Sequence, residues 1–172
     1  MAKAKKSKAK QEASAKLPHL DEHGAARMVD VGGKDVTHRV AVAEAFVRMS
    51  GDTLQLLEAG AIKKGDAFAV ARIAGIMGAK RAADLIPLAH PIALTHVAVK
   101  IEPRLHEGGV YVEARAECRG LTGVEMEAMT AAAAAALSLY DMVKKYERGV
   151  VIERLQLQMK TGGQSGTYIR ED

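Results

Sequence analysis

The sequence contains no tryptophan, and aromatic residues make up only 3% of its 172 residues. Because 48% of the chain is still apolar, it can form one packed domain of ordinary size, with a core taken from Ala, Val, Leu, Ile and Met. The single cysteine, Cys118, excludes an internal disulfide and any zinc or iron–sulfur site that needs several cysteine ligands. Cys118 itself is expected in the core.

Long apolar runs are also missing. No segment approaches the ~20 apolar residues that cross a bilayer, and the N-terminal MAKAKKSKAK lacks the apolar core of a signal peptide. No cluster of His, Cys, Asp and Glu has the spacing of metal ligands, so we expect no protein-bound metal and no cofactor. Together with the lone cysteine, these absences favour a reduced, cytoplasmic setting without a membrane partner.

The charge is distributed unevenly along the chain. The formal net charge is +4 and the isoelectric point is near 9.2, which suggests a nucleic-acid partner. Residues 1–17, however, hold six lysines and one glutamate, which leaves 19 basic and 20 acidic residues for 18–172. We therefore expect a disordered basic tail at 1–17 and a single domain at 18–172 without a folded basic face. A tail-driven nucleic-acid binder stays open as one alternative.

The stretch from Leu121 to Lys145 is the strongest helix signal. Thr122 and Glu125 have the spacing of a capping box, and after Glu125 no glycine or proline occurs until Gly149, so we predict a helix of about six turns. One face carries a polar stripe, formed by Glu127, Thr130, Ala134, Ser138, Asp141, Lys144, Lys145 and Arg148. Such stripes usually face solvent, but the alanine-rich middle is more typical of a surface packed closely against something.

Alternating apolar residues predict the strands. The segments are Met28–Val31, Val36–Phe46, the stretch after Pro91 to about Glu102, Val110–Arg119 and Val151–Lys160. Arg39 is expected to project from the small-residue side of its strand, beside Ala41 and Ala43. A buried face is expected to hold Val110, Val112, Ala114, Ala116 and Cys118. In the last strand, Val151, Leu155, Leu157 and Met159 are expected to share one face.

Helix caps and small residues complete the picture. Ser50 is expected to open a short helix that Gly60 ends, and Asp66 to cap a second helix. Gly75 and Gly78 lower the stability of that second helix, so they indicate close backbone approach to a neighbouring element. Strands interleaved with helices and joined by hairpins indicate an α+β sandwich with helices on one sheet face.

Three features could bind anions or move protons, although each has a commoner structural interpretation. Lys64 directly precedes a helix N-terminus, where backbone N–H groups and an ammonium can hold an anion together; an ordinary solvated loop lysine is the alternative. The segment Lys160–Gly166 can present N–H groups as an anion nest, but it lacks the P-loop spacing and could be a flexible end. His90 lies in the stiff connector Pro87–Pro91, where a structural histidine is commoner.

Six segments, in this order, resemble the cyclic pyranopterin monophosphate synthases of molybdenum-cofactor biosynthesis: MVDV, RVAVAEAFV, KKGDAFAVARIAGIMGAKRAADLIPLAHP, TGVEMEAMTA, LSLYDMVK and KTGGQSG. The resemblance extends from His19 to Tyr168. It implies a ferredoxin-like α+β subunit in a homohexamer, a trimer of dimers with active sites at subunit interfaces. It also implies a lyase that rearranges 3′,8-cyclo-7,8-dihydro-GTP to cyclic pyranopterin monophosphate and releases pyrophosphate.

By position, the resemblance assigns Asp141 and Lys144, in YDM-x-K, as the catalytic pair. The substrate-binding residues that it implies are Arg39, Lys64, Leu88, Ala89, His90, Glu125, Met126, Glu127 and Lys160. These residue types suit the chemistry, because a triphosphate needs several fixed cations and forming the pterin ring needs proton transfers. An ion pair with Asp141 would raise the pKa of Lys144, whereas cations such as Lys145 would lower it, and the sequence leaves this balance open.

Two positions depart from the usual pattern of that family. The C-terminal loop is commonly K-S-G-G-K-S-G, whereas this chain has Thr161 and Gln164, which removes one lysine from the implied phosphate site. Val143 replaces a common cysteine, so that position carries no catalytic role. A single cysteine also cannot hold the iron–sulfur cluster that radical opening of GTP would need, so a separate radical-SAM GTP cyclase is expected to supply the substrate.

The main alternative is a non-catalytic, nucleotide-phosphate-binding subunit of an oligomer, which would explain the cations and the glycine loop without Asp141 and Lys144. At 1.5 Å per residue, Glu127 and Asp141 lie about 21 Å apart on one helix. The site is therefore either elongated, or each end of the helix belongs to a different site shared with another subunit. The alanine-rich middle favours the second arrangement, in which activity requires the assembled oligomer.

Overall fold

The computed structural model describes residues 20–21 and 23–171. The predicted disordered tail, residues 1–17, lies outside the described residues. The chain divides into two compact units, Met1–Asp30 and Val31–Asp172, and each is described separately below.

The described part of the first unit contains one isolated antiparallel bridge, between Leu20 and Ala26. The strand predicted for Met28–Val31 is wrong, because residues 28–31 adopt no strand within the described part of the chain. Met28 is 49% exposed, so the short apolar run that suggested a strand does not bury its first side chain. The single domain predicted for 18–172 stays a prediction.

The second unit is built on a five-stranded sheet. Its strands are β1 (Thr37–Arg48), β2 (Leu94–Arg104), β3 (Gly109–Gly120), β4 (Val151–Thr161) and β5 (Tyr168–Ile169). Their order across the sheet is β2-β3-β1-β4-β5, and every neighbouring pair is antiparallel. The first strand in the chain therefore lies in the middle of the sheet, where it is paired on both sides.

Helices connect and cover this sheet. The described residues form α1 (Gly51–Glu58), α2 (Ala67–Lys80), α3 (Ala82–Leu85) and α4 (Glu125–Val143), and a short 3-10 turn, Leu105–Glu107, joins β2 to β3. The helix α4 packs directly on β1, β3 and β4, and α2 packs on α4 and β2. An antiparallel sheet with helices packed against it confirms the predicted α+β, ferredoxin-like sandwich.

The core lies between the sheet and α4 and is made of small aliphatic side chains. Four alternate residues of β1, Ala41, Ala43, Ala45 and Val47, are fully buried. The predicted buried face of β3 is confirmed, because Val110, Val112, Ala114, Ala116 and Cys118 are also fully buried. Small side chains on both layers let the helix approach the sheet closely, so the core needs few aromatic residues.

The predicted close approach at Gly75 and Gly78 is confirmed, and it occurs between α2 and α4. A Cβ added at Gly75 would lie 2.9 Å from Cγ2 of Val99 and 3.0 Å from the carbonyl oxygen of Ala131. At Gly78 it would lie 2.7 Å from Cβ of Ala134 and 3.0 Å from the oxygen of Thr130. The alanine-rich middle of the polar stripe thus packs on α2 of the same chain, and its composition is no argument for a subunit interface.

The start of α4 differs from the prediction. The helix begins at Glu125 and has 19 residues, its N-cap is Val124, and no side chain forms a capping hydrogen bond. The capping box predicted from Thr122 is therefore wrong. Glu125 is the first helical residue instead of the third, and its carboxylate turns towards Lys160, at 3.9 Å, as well as over Gly123.

The caps of the two earlier helices follow the prediction. The Ser50 side chain accepts a hydrogen bond from the backbone N–H of Thr53 at the start of α1, and Gly60, with φ +64°, lies just beyond its end. The Asp66 side chain accepts one from the N–H of Ala69 at the start of α2. These interactions are local, so the sequence specifies them well.

The predicted single apolar face of β4 is wrong at its start. Irregularities in the pairing of β4 with β1 interrupt the alternation, and Arg154 has a φ of +56°. Val151 and Leu155 are consequently 52% and 41% exposed. The guanidinium of Arg154 lies 4.4 Å from the ring centroid of Phe46, so the irregular stretch places a cation over an aromatic face.

Residues 20–21 and 23–171 carry neither a membrane-spanning helix nor a cluster of metal ligands. None of the helices in this part of the chain is both long and apolar enough to span a membrane. Nor does it contain a group of three or more His, Cys, Asp or Glu side chains arranged to hold a metal ion.

Candidate active site

The predicted site residues collect mainly at the two ends of α4. At its N-terminal end lies a pocket of about 280 Å³. Its lining residues are Lys34, Arg39, Val40, Leu121, Thr122, Gly123, Glu125, Lys160, Thr161, Gly162, Gln164 and Ser165. Three cationic side chains, one carboxylate and several hydroxyls therefore surround this space, a combination suited to an anion that carries more than one charge.

Arg39 forms a wall of the pocket and is only 8% exposed. It lies on the same side of β1 as Ala41 and Ala43, as predicted. Its Nη2 donates a hydrogen bond to the carbonyl oxygen of Leu121, at 3.1 Å, and its Nε donates to that of Gly120, at 3.4 Å. These bonds anchor the guanidinium to the segment that leads into α4, so its position is fixed by the fold.

The glycine-rich loop after β4 packs over Arg39. Gly162 and Gly163 have φ values of +94° and +74°, a region that side chains rarely adopt. A Cβ at Gly163 would overlap the Arg39 guanidinium, and one at Gly162 would overlap the carbonyl of His38. The glycines are therefore required for the close approach of the loop to Arg39, in addition to any role as an anion nest.

Lys160 and Glu125 face each other across the pocket. The Nζ of Lys160 lies 3.9 Å from Oε1 of Glu125 and donates to the hydroxyl of Ser165. The Lys160 side chain is 19% exposed and that of Glu125 is 33% exposed. Partial burial on both sides strengthens their mutual attraction relative to a surface pair, so each limits the positions the other can take.

Glu127 lies two positions after Glu125, which lines the pocket, and is only 3% exposed. Its pKa is raised to about 7, mainly by burial; a hydrogen bond from its own backbone opposes the shift, and the charge of Glu125 adds to it. Glu127 can therefore hold or release a proton near neutral pH. The pKa of the buried Cys118 thiol is raised as well, by burial first and then by Glu127.

The second cluster lies at the C-terminal end of α4, where one carboxylate binds two ammonium groups. Asp141 Oδ1 is 2.6 Å from the Nζ of Lys144, and Oδ2 is 2.8 Å from the Nζ of Lys64. The same Lys64 ammonium also donates to the carbonyl oxygen of Asp141, at 2.6 Å. It thus pairs with the Asp141 carboxylate and also binds a backbone carbonyl near the C-terminal end of the helix, where cations are favoured.

These contacts decide whether the pKa of Lys144 is raised by Asp141 or lowered by neighbouring cations, which the sequence leaves open. Hydrogen bonds from Lys144 and then Lys64 lower the pKa of Asp141 to about 2. The bond to Asp141 raises the pKa of Lys144. In this geometry Lys144 is an ammonium at neutral pH and can donate a proton, while Asp141 stays a carboxylate.

The loop that carries Lys64 is attached to the far end of α4. The hydroxyl of Tyr146 accepts a hydrogen bond from the backbone N–H of Lys63, at 3.1 Å. The Lys64 ammonium donates to Asp141. It does not point to the N–H groups at the start of α2, with which the sequence suggests that Lys64 could hold an anion. Asp66 occupies that helix start as its cap.

Four predicted residues are not part of either cluster. Leu88, Ala89 and His90 are half-buried in the connector between α3 and β2, where the N–H of Ala89 bonds to the oxygen of Ile86, at 3.0 Å. Met126 is 37% exposed at the start of α4. The lining of the pocket includes none of these four among the described residues, so their assignment to a binding site stays a prediction.

One chain does not bring its two clusters together. Asp141 follows Glu125 by sixteen positions of continuous helix, which corresponds to about 24 Å at 1.5 Å per residue. The two clusters therefore contribute to one compact site only if another subunit supplies one of them.

Lys34 and Tyr146 are two contacts that the sequence analysis missed. Lys34 lines the pocket but follows two glycines in a turn, where exposed lysines are common. Tyr146 lies beyond α4, 83 residues from its partner Lys63. Neither residue carries a local signal, because only the fold places it beside the site.

Comparison with known proteins adds a second line of observation. A sequence profile described as the MoaC family matches residues 28–163. A relative from Thermomicrobium roseum, named cyclic pyranopterin monophosphate synthase, is 56% identical over 158 residues, which cover 92% of this chain and 95% of the relative.

Two further relatives carry the same name. The protein from Desulforapulum autotrophicum is 51% identical over 153 residues, or 89% of this chain and 94% of its own length. The protein from Dinoroseobacter shibae is 52% identical over 155 residues, or 90% of this chain and 98% of its own length. The similarity extends over nearly all of each relative, and the profile match includes both ends of α4.

Proposed function

This chain belongs to the MoaC family, and we propose that it is a lyase that converts 3′,8-cyclo-7,8-dihydro-GTP to cyclic pyranopterin monophosphate with release of pyrophosphate. The reaction is an early step of molybdenum-cofactor biosynthesis. The observation that carries this proposal is the 51–56% identity, over about nine tenths of the chain, to relatives named cyclic pyranopterin monophosphate synthase.

The pocket at the N-terminal end of α4 is proposed to bind the triphosphate. Lys34 and Lys160 supply ammonium groups on its lining, and Arg39 supplies a guanidinium that hydrogen bonds hold in place. Lys34 thereby offsets the lysine that the C-terminal loop lacks at Gln164. Fixed cations and loop N–H groups are what a departing pyrophosphate requires, because negative charge accumulates on it.

The cluster at the C-terminal end is proposed to carry the proton transfers. Lys144 is an ammonium at neutral pH, and Asp141 raises its pKa further; it can donate a proton to a developing anion on the substrate. Asp141 holds Lys144 and Lys64 in place and stays ionised. Glu127, with its pKa raised to about 7, is a second group that can exchange a proton at neutral pH. Leu88, Ala89, His90 and Met126 remain proposed substrate contacts.

A homohexamer, a trimer of dimers with active sites between subunits, is the assembly we propose. The separation of about 24 Å between the clusters supports it, and so do large apolar side chains that are exposed in the single chain. They include Val70, Ile73, Met77 and Leu85, at 43%, 63%, 43% and 63% exposure, and Leu137 at 61%. The first three recur at helical spacing on α2, which is typical of a helix face covered by a partner.

Complementation between variants tests the shared site. Lys160→Ala and Lys144→Ala chains should each be inactive alone. After unfolding and refolding together, they should recover a fraction of the activity, since some interfaces then pair one intact end of α4 from each chain. No recovery in a mixed oligomer of confirmed composition would show that both clusters act within one subunit.

A separate radical-SAM GTP cyclase is proposed to supply the substrate, since Cys118 alone cannot ligate the cluster that such chemistry needs. The cytoplasmic location expected from the sequence is retained as part of this proposal.

The proposal is tested by incubating the protein with the cyclic GTP derivative and measuring pyrophosphate and the pterin product. Turnover by the wild type, with a loss of about a hundredfold or more in Lys144→Ala, supports an enzyme. The alternative, a non-catalytic nucleotide-phosphate-binding subunit, predicts nucleotide binding without product. Lys145→Ala is the matched control, because Lys145 is an exposed neighbour outside the Asp141 cluster.

A further inference from the structure

The Lys63–Lys64 loop is a short connection between two helices. It contains a turn in which the N–H of Gly65 bonds to the oxygen of Ile62, at 3.0 Å, and Ile62 anchors it in the core at 4% exposure. Its lysine side chains point away from the core and are exposed. A turn anchored at one buried residue leaves the backbone between Ile62 and the cap at Asp66 weakly restrained.

Tyr146 supplies the missing restraint. Its hydroxyl accepts the backbone N–H of Lys63, and its own N–H bonds to the oxygen of Val143, at 2.8 Å. It is therefore attached to the last turn of α4, which also carries Asp141. The hydroxyl fixes the backbone next to Lys64 relative to the same helix end that holds the carboxylate.

The ion pair alone is a poor anchor for this loop. The side chains of Lys64 and Asp141 are 42% and 55% exposed, so water and salt screen their attraction. A lysine also has a long, flexible side chain, and its ammonium can follow the carboxylate while the backbone shifts. The hydrogen bond from the Lys63 backbone restricts the main chain from which the Lys64 side chain extends. The ion pair restricts only the ammonium group at the end of that side chain.

From these contacts we propose that Tyr146 is a positioning residue: its hydroxyl holds the Lys63–Lys64 loop against the end of α4, so that the Lys64 ammonium is presented beside Asp141. This proposal rests on the proposed function, in which the Asp141 cluster acts on the substrate, and on the assignment of Lys64 as a substrate-binding residue by resemblance. Tyr146 itself does not touch the reacting atoms. It acts by reducing the range of positions that Lys64 occupies before substrate arrives.

Tyr146→Phe removes the hydroxyl and keeps the ring. Tyr140→Phe is the matched control, since Tyr140 lies on α4 and its hydroxyl donates to the oxygen of Arg148, at 3.3 Å, instead of binding the Lys63 backbone. Hydrogen exchange of the full-length protein, followed by mass spectrometry, measures the protection of a peptide that contains the Lys63 amide. We expect about a fivefold faster exchange of a peptide spanning Lys63 in Tyr146→Phe, and no change in Tyr140→Phe.

Steady-state kinetics with the cyclic GTP derivative shows whether the hydroxyl acts through Lys64. We expect Tyr146→Phe to raise KM about threefold with kcat nearly unchanged, because it loosens a binding group. In a Lys64→Ala background the same substitution should have no further effect on KM. An equal effect in both backgrounds, or a lower kcat with unchanged KM, would overturn the positioning role.

The two proposals fail in different ways. If the wild type turns over no cyclic GTP derivative, the proposed function fails, while exchange at Lys63 still tests whether Tyr146 holds the loop. If the wild type is active but Tyr146→Phe matches Tyr140→Phe in both exchange and KM, the positioning role is wrong and the enzyme assignment stands.

Discussion

The two ends of α4 use opposite ways to set charge. At the N-terminal end, Arg39 and Glu127 are 8% and 3% exposed, and burial raises the pKa of Glu127 to about 7. At the C-terminal end, Asp141 is exposed and two ammonium groups lower its pKa to about 2. The first end is specified by the packing of the fold, and the second by contacts between flexible side chains.

This difference predicts how substitutions act. Changes at the buried end should disturb folding as well as function, because each group there is also part of the packed structure. Changes at the exposed end should disturb function with little effect on folding, because exposed ion pairs contribute little stability. The following variants test the contrast, in order of decreasing effect on stability.

Gly163→Ala should have the largest effect. The new Cβ overlaps the Arg39 guanidinium and the backbone has a φ of +74°, so we expect the free energy of unfolding to fall by about 2–4 kcal/mol. Gly166→Ala is the matched control, since its φ is +65° but nothing lies within 4 Å, and about 1 kcal/mol is expected. Denaturant unfolding at fixed protein concentration measures both, and equal losses would contradict the contact with Arg39.

Arg39→Lys should come next. It keeps the charge but cannot reproduce the two hydrogen bonds to the carbonyls of Gly120 and Leu121, so about 1–3 kcal/mol of unfolding free energy should be lost. Arg119→Lys, at an exposed position of β3, controls for the exchange of side chains. If both variants unfold at the same denaturant concentration as the wild type, Arg39 is not anchored as described.

Glu127→Gln should change how stability depends on pH. A folded pKa of about 7, above the ordinary value of 4.5, means that the folded state holds the proton more tightly. Its contribution is complete below about pH 4.5 and is lost as pH rises towards 7. Stability should therefore decline across this window by up to about 1 kcal/mol per pH unit.

In Glu127→Gln that part of the decline should vanish, which thermal unfolding at several pH values would show. A slope that is unchanged in Glu127→Gln would mean that the carboxyl of Glu127 titrates normally in the folded protein.

Asp141→Asn should have the smallest effect on stability and a large one on activity. Its side chain is 55% exposed, so the melting temperature should change little. Turnover of the cyclic GTP derivative should fall about a hundredfold or more, since Lys144 and Lys64 lose their shared anchor. A large drop in the melting temperature of Asp141→Asn would contradict the prediction that changes at the exposed end of α4 have little effect on folding.

The sequence predicted those features that depend on near neighbours or on a clear period. Ser50 and Asp66 cap the helices they precede, the alternation in β3 gives its buried face, and Gly75 and Gly78 mark a close helix contact. The caps and the alternation depend on residues that are close together in the sequence. The two glycines depend on a contact so close that it leaves no room for a Cβ.

Features that depend on distant partners were missed or wrong. The Thr122 capping box fails because Glu125 turns to Lys160, 35 residues later, and the regular face of β4 fails because its pairing with β1 is irregular. The alanine-rich middle of α4 was interpreted as an interface, although α2 of the same chain covers part of it. The resemblance identifies the two ends of α4, whereas Lys34 and Tyr146 lie beside them only because of the fold.

The length of α4 also limits how this chain can change. One residue inserted between Glu125 and Asp141 would lengthen the helix by about 1.5 Å and rotate one end by about 100° relative to the other. Either the pocket that Arg39 lines would lose Glu125, or Lys64 would lose Asp141. Gly78 would also face a different side chain of α4. The middle of α4 therefore acts as a spacer of fixed length and phase, in which substitutions by small residues are tolerable but insertions and deletions are not.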